Sequence, residues 1–320
     1  MKQAKQSCVL LVTPRHSYRI SPYIKAAEQL KLTLLLVSEG KHSLISAVAS
    51  GIQIKFDNPE EAVSKVQEAA TPYRIRAVIG TDDMSVALAS RIASHFDLQA
   101  NSAESARITQ RKDLARQRLA AVGLAVPDFR VLNIKIDLSQ QLKGFQFPGV
   151  IKPLMLSGSR GVIRVNSMSE LKKAVLRVAA IINIKSGYDA YETSHLLLES
   201  YLPGKEIAVE GILSDGRFRP LAVFDKPAVM EGPFFEETIY ISPSKLTAAT
   251  LKEVYDYIQS VCRAYGIRQG PVHAELRINP DGLWLIEMAS RTIGGQCAQI
   301  MQWVLGESIE SLILKQAVGI

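Results

Sequence analysis

The first hundred residues alternate short apolar runs with amphipathic stretches, and few folds accept that pattern. Strand-like segments lie at Cys8 to Thr13, Leu32 to Val37, around Ile54 and at Ala77 to Ile79. Helical patterns separate them at Ser21 to Leu30, Ser43 to Ser50, Pro59 to Ala70 and Ser85 to Phe96. Apolar strands joined by amphipathic helices predict an α/β layer, a parallel sheet of Rossmann-like form. Dinucleotide binding is not expected of it. The turn after the first strand reads Thr13-Pro14-Arg15-His16-Ser17, without the glycines that let backbone approach a pyrophosphate.

The pattern changes after Asn101. A helix predicted from about Ser105 to Val122 is stopped by Gly123 and followed by Pro127. Short strands follow at Phe147 to Pro153, Gly161 to Val165, Leu196 to Glu199, Glu206 to Leu213 and Phe218 to Asp225. These predict a mainly antiparallel α+β domain with a few helices, so the chain divides into 1–105 and 106–320. Length agrees, since 320 residues at about 150 per domain make two domains with a cleft between them.

Composition narrows the function classes. With 47% hydrophobic and 22% charged residues, disordered, collagen-like and coiled-coil chains are excluded. Apolar runs such as Leu34 to Val37 fall far short of the roughly 18 residues of a membrane span, and Met1 to Ser7 carries no signal-peptide core. A cytoplasmic chain without a membrane partner is expected. Cys8, Cys262 and Cys297 have no CxxC spacing, which argues against a disulfide framework or zinc site and for buried thiols. The net charge of +7 is spread along the chain, without the basic blocks or aromatic signatures of nucleic-acid binders. A basic cleft for a polyanionic small molecule such as a nucleotide explains its sign.

The most informative stretch runs from His273 to Ala289. Asn279-Pro280-Asp281-Gly282 predicts a three-residue hairpin loop with Asn279 paired to Leu283. That register sets Glu275 opposite Glu287, His273 opposite Ala289 and Arg277 opposite Leu285. The other face is then apolar, comprising Ala274, Leu276, Ile278, Trp284, Ile286 and Met288. Two opposed carboxylates destabilise a purely structural hairpin, so a positive group belongs between them. That group is either a divalent cation with oxygen ligands, usually Mg²⁺ on nucleotide phosphates, or a neighbouring arginine such as Arg277.

A second constellation begins at Phe147 to Pro153, a strand bearing Lys152. It continues through Ser157-Gly158-Ser159-Arg160-Gly161 into the strand Val162 to Val165. Small residues there would let backbone N–H groups approach phosphate oxygens, with Lys152 adding charge. A simple hairpin turn gives the same composition. The order of lysine and glycines is not that of a Walker A loop.

Taken in order, Lys152 with its Ser/Gly loop, Glu199 to Glu206, Asp225-Lys226, and the hairpin ending Glu287-Met288-Ala289-Ser290-Arg291 resemble the ATP-grasp superfamily of carboxylate–amine ligases. Ser157 to Val162 and His273-x-Glu275-x-Arg277 look most like the branch of L-amino-acid (dipeptide) ligases and carnosine-synthase-like enzymes. The likeness extends over nearly the whole chain. It includes Gly80 to Asp83 after a strand and Arg111-Lys112-Asp113 at the opening of the second domain.

The resemblance implies a pre-ATP-grasp domain over 1–105 and an ATP-grasp domain over 106–320, with lobes at about 113–200 and 201–320. Lys112, Lys152 and Lys226 would contact ATP phosphates under a loop formed by Ser157, Gly158, Ser159 and Gly161. The main chain of Ser200 and Leu202, with Glu199, would meet adenine, and Glu206 would bind ribose. Glu275 and Glu287 would hold Mg²⁺, for which Mn²⁺ can substitute. Arg291 would stabilise the transferred phosphoryl group, while His273 and Arg277 would orient substrate or move a proton, unless His273 is structural. The implied activity joins a small carboxylate, such as an amino acid, to an amine through an acyl phosphate, releasing ADP and phosphate. The alternative is an ATP-grasp protein that binds Mg-ATP without full ligase turnover.

No nucleic-acid partner is implied, and a homodimer is compatible with the pattern. Two departures stand out. Many members carry Asn two residues after the second acid, where this chain has Ala289. Relatives usually continue beyond the position of Ile320 into a lobe that helps close the acceptor site, so a compact variant or an incomplete acceptor site is expected.

Overall fold

The computed structural model describes residues 5–39, 50–183, 189–227, 231–235 and 239–320. The α/β layer comprises β1 (Gln6–Thr13), α1 (Ile20–Gln29), β2 (Thr33–Glu39), β3 (Ser50–Ile54), α2 (Pro59–Ala69), β4 (Tyr73–Gly80) and α3 (Asp83–His95). Its four strands are parallel, in the order β3-β2-β1-β4. Ser50 opens β3, and the rest of the helix expected at Ser43 to Ser50 lies outside the described residues.

The single helix expected from Ser105 to Val122 is two, α4 (Ala103–Gln110) and α5 (Lys112–Ala121). Arg111 is extended between them, with φ −113° and ψ 105°. No glycine or proline marks this break. Tertiary contacts hold it, the Arg111 guanidinium pairing with Glu192 at 3.3 Å and the Lys112 N–H donating to the Leu154 carbonyl at 3.1 Å, beside a local pair of Arg111 with Asp113 at 2.7 Å. The break makes Lys112 the first residue of α5, aimed along the edge of the next sheet.

That sheet is built from β5 (Phe129–Asn133), α6 (Leu138–Gln141), β6 (Gly149–Pro153), β7 (Ile163–Val165), α7 (Met168–Asn183), α8 (Ala190–Ser194) and β8 (His195–Ser200). Its strands run antiparallel in the order β5-β8-β6-β7. A third sheet, also antiparallel, has the order β10-β9-β11-β12, with β9 (Lys205–Ser214), β10 (Arg217–Lys226), β11 (Gly270–Asn279) and β12 (Gly282–Ala289). Helix α9 (Ala248–Tyr265) precedes β11, and α10 (Cys297–Leu305) and α11 (Ile309–Val318) close the chain. Gly306 adopts φ +77° and caps α10, so α11 begins only at Ile309.

Burial follows the layers. Leu10 and Val12 of β1 pack under α2 and α3. The opposite face of β1, through Val9 and Leu11, shares one core with Ile212 of β9, Phe224 of β10, Ile293 and Met301. Helix α9 covers the back of the third sheet, and α7 covers the second. Cys8 and Cys262 are buried, which pushes their thiols up to about 11 and about 12; Cys297 is half-buried. Among the described residues no helix is long and apolar enough to cross a membrane.

Candidate active site

The second and third sheets face each other across a cleft of about 920 Å³, its open mouth included. Its wall contains every site residue expected from the sequence except Gly161 and Lys226. Gly161 lies behind the Ser/Gly loop, at φ +74° against Pro153 and Val178. Lys226 lies beneath the floor, 4% exposed, with its ammonium 3.0 Å from Glu206 and 3.2 Å from Glu275.

On the floor, β11 and β12 bring Glu275 directly opposite Glu287. The route to that register differs from expectation. The turn is tighter, Asn279 pairing with Gly282 around Pro280 and Asp281, and Ile286 is inserted as a bulge between Leu285 and Glu287. One slip cancels the other at the acids. Arg277 therefore lies opposite Trp284 rather than Leu285, and the core face of β12 is Leu283, Leu285 and Met288 rather than Trp284 and Ile286. Asn279 fixes the turn by accepting from the Asp281 N–H at 2.9 Å and the Trp284 indole at 3.0 Å.

Cations surround the two carboxylates. Lys226 and His273 Nε2 each lie 3.2 Å from Glu275 Oε1, and Lys112 Nζ lies 3.4 Å from Glu287 Oε1. Burial would raise the Glu275 carboxyl, but Lys226 and His273 outweigh it and hold it well below the usual carboxylate range. His273 has an acid at each ring nitrogen. Its Nδ1 bonds Glu210, which is wholly buried, and its Nε2 bonds Glu275. Burial disfavours the charged ring, yet the two acids push its pKa up to about 9.

Arg277, the arginine considered as neutraliser, turns elsewhere. Its Nε donates to Glu206 at 2.9 Å and an Nη donates to the Leu202 carbonyl. Two oxygen-bearing acids side by side, both reachable from the cleft, suit a hard cation whose remaining ligands come from phosphate and water. No cluster of three His, Cys, Asp or Glu side chains able to hold a metal occurs among the described residues.

The roof is set by β6, β8 and the loop between β6 and β7. Glu199 is buried with both oxygens engaged, by Lys152 Nζ at 2.5 Å and by Arg116 Nε at 2.6 Å. Burial favours the protonated acid, but Arg116 and Lys152 prevail and hold its pKa at about 2. The same burial lowers the Lys152 ammonium despite Glu199 beside it. Lys112 Nζ donates to the Leu156 carbonyl at 2.6 Å, so it bridges the loop and Glu287. In the loop Gly158 and Ser159 have φ of +66° and +52°, which turns successive N–H groups to one side. At the inner end the Ser200 N–H donates to the Asp128 carbonyl and the Tyr201 N–H to Pro148, beside Val150, Leu156, Val162 and Ile286. This apolar slot suits a flat heterocycle.

Arg291 reaches the cleft from just beyond β12 and pairs with Asp83 at 2.9 Å, which strengthens its charge against burial. The α/β layer holds the same segment elsewhere: Arg19 donates to Thr292 Oγ1 at 2.6 Å and the Ile293 carbonyl at 2.9 Å, and the Gly295 N–H donates to Tyr18 at 3.0 Å. Sequence reasoning gave no site role to Arg116, Glu210, Asp83 and Arg19. Two of them carried a signal. Arg116 is one helical turn beyond Lys112, and Glu210 shares a strand face with Glu206 at a spacing of four. Asp83 stood in the Gly80 to Asp83 motif without a role, and no local spacing pairs it or Arg19 with partners 208 and 273 residues away.

The sequence profile of the ATP-grasp domain family matches residues 145–300. Dapdiamide A synthase of Enterobacter agglomerans is 26% identical over 78% of this chain and 58% of its own length. Alanine–anticapsin ligase of Bacillus amyloliquefaciens is 23% identical over 81% of this chain and 57% of its own. The chain thus spans somewhat over half the length of these curated relatives. In three dimensions it superposes on the L-amino acid ligase of Bacillus licheniformis with a TM-score of 0.79 at 23% identity, covering 98% of this chain and 75% of that one.

Proposed function

We propose that this chain, whose residues 145–300 match the ATP-grasp domain, is an ATP-dependent ligase that joins a small carboxylate to an amine through an acyl phosphate. The observation that carries the reading is the opposed Glu275–Glu287 pair on the cleft floor, ringed by Lys112, Lys226 and His273. Adenine would occupy the slot beside Ser200 and Leu202, with Glu206 at the ribose and Lys112, Lys152 and the loop from Ser157 to Gly161 on the phosphates. Glu275 and Glu287 would hold Mg²⁺, which when bound offsets phosphate charge and draws the phosphates into place. The division into 1–105 and 106–320, the latter with lobes meeting near residue 200, belongs to the same proposal.

In the first step a carboxylate oxygen bonds to the γ-phosphorus as the bond to the β,γ-bridging oxygen breaks, giving an acyl phosphate and ADP. Lys152 and Arg291 face the charge that spreads over the phosphoryl oxygens. An amine then attacks the acyl carbon, the C–O bond to phosphate breaks, and the nitrogen loses a proton. The amide and inorganic phosphate leave. Arg291 is held for this by Asp83, and Arg277 is held by Glu206, so neither has to be ordered by substrate. The names of the relatives, a dapdiamide synthase and a ligase of alanine with anticapsin, favour amino acids or amino-acid-like acids as substrates.

With ATP, Mg²⁺ and a panel of amino acids the protein is expected to form ADP and phosphate in step with an amide product. Glu275→Gln and Glu287→Gln should each cut turnover by about 10–100-fold or more, as loss of metal-site groups does. Unchanged turnover in both single variants and in the double variant would remove the assignment. Tight nucleotide binding with no ADP across the panel would favour binding without turnover, the reading that Ala289 on the cleft wall keeps in play.

A further inference from the structure

Arg116 takes no part in the chemistry above, yet it is one of the most deeply buried large side chains of the protein, 2% exposed. It stands one turn after Lys112 on α5. Its Nε donates to Glu199 Oε1 at 2.6 Å, and its second Nη donates to the Ile286 carbonyl at 2.9 Å. Both acceptors are placed where the site is decided. Glu199 holds the Lys152 ammonium through its other oxygen. Ile286 is the extra residue of the β12 bulge, the insertion that sets the phase of Glu287 against Glu275. One guanidinium therefore joins α5, β8 and β12, and through Glu199 it reaches β6.

We propose that Arg116 is a positioning residue that couples the carboxylate pair to the phosphate-binding lysine: it pins the bulge that presents Glu287 and, through Glu199, fixes Lys152. The inference rests on the nucleotide reading of the cleft. A planar guanidinium offers donors in fixed directions and meets both acceptors at once; a lysine ammonium at the same position reaches the acid but has no rigid fork for the second. An arginine serving stability alone would contribute to melting temperature and leave metal and nucleotide uncoupled from it.

The test measures binding of a non-hydrolysable ATP analogue by calorimetry, with EDTA and with Mg²⁺. The ratio of the two dissociation constants reports how strongly metal and nucleotide support each other. Lys152→Met is expected to weaken binding about tenfold in both conditions and keep the ratio, since one charged contact to phosphate is lost. Arg116→Gln is expected to weaken binding and also to shrink the ratio, by about tenfold. Arg116→Lys should regain the affinity in EDTA, through Glu199, without regaining the ratio.

If folded Arg116→Gln and Arg116→Lys keep the wild-type ratio, the coupling role is overturned while the nucleotide site stands. Should Arg116→Gln fail to fold, Arg116→Lys carries the comparison alone. A wild-type protein that binds no analogue in either condition overturns the nucleotide reading and this inference with it.

Discussion

Glu199 shows how one residue can decide the charge state of a whole wall. Its carboxylate lies between two buried cations, so replacing it by Gln leaves Arg116 and Lys152 facing a neutral amide. Breaking a buried pair in this way costs about 3–5 kcal/mol, and the melting temperature of Glu199→Gln should fall accordingly. The pH dependence has a definite sign. The folded-state pKa of about 2 lies below the usual 4.5, so the stabilisation is fully present above about 4.5 and drains away as pH falls through about 2. Urea unfolding between pH 6 and pH 2 should show a steeper acid loss for wild type than for Glu199→Gln; parallel curves would contradict the ion-pair account. Sequence reasoning found both Glu199 and Lys152 but gave them separate tasks, at adenine and at phosphate. Their contact spans 47 residues and two strands, and no local pattern encodes it.

At the scale of elements, the hairpin gives the clearest view of what was legible. Alternation of polar and apolar residues placed Glu275 opposite Glu287, which period-two geometry fixes once the turn is known. The turn itself was read one residue too long, and the Ile286 bulge restored the phase. A bulge has no composition of its own; this one is held by a carbonyl bond to a helix some 170 residues away. The α4–α5 break escaped for a similar reason, because it is held by the distant Glu192 and Leu154 and not by a helix breaker.

A second turn on the cleft floor makes a sharper prediction. Gly204 adopts φ +130°, and a Cβ there would lie 2.4 Å from the Ile278 carbonyl oxygen. Gly204→Ala must therefore strain the backbone or push β9 from β11, at about 1–3 kcal/mol. Since Leu202, two residues earlier, accepts from Arg277, nucleotide affinity should weaken with stability. Thermal melting and analogue binding by one preparation check both; an Ala variant as stable as wild type would refute the close approach.

Over the whole molecule, the α/β layer contributes to the site as well as to the core. Val9 and Leu11 share a hydrophobic cluster with β9 and β10, while Tyr18, Arg19 and Asp83 grip the segment from Arg291 to Gly295. The net charge of +7 is not gathered in the cleft, where Lys112, Lys152, Arg277 and Arg291, with Lys226 beneath the floor, each stand beside an acid. The α/β layer, the two antiparallel sheets and most residues lining the cleft were legible because strand period and motif order are local. The neutralising partners were not, since they arrive from other layers.

In the proposed reaction a substrate carboxylate attacks ATP and later loses that oxygen to phosphate. A substrate acid labelled with ¹⁸O in its carboxylate tests it directly, with mass spectrometry of the released phosphate. The account predicts one ¹⁸O atom in phosphate for each amide formed. Phosphate that carries no label while amide accumulates would contradict it.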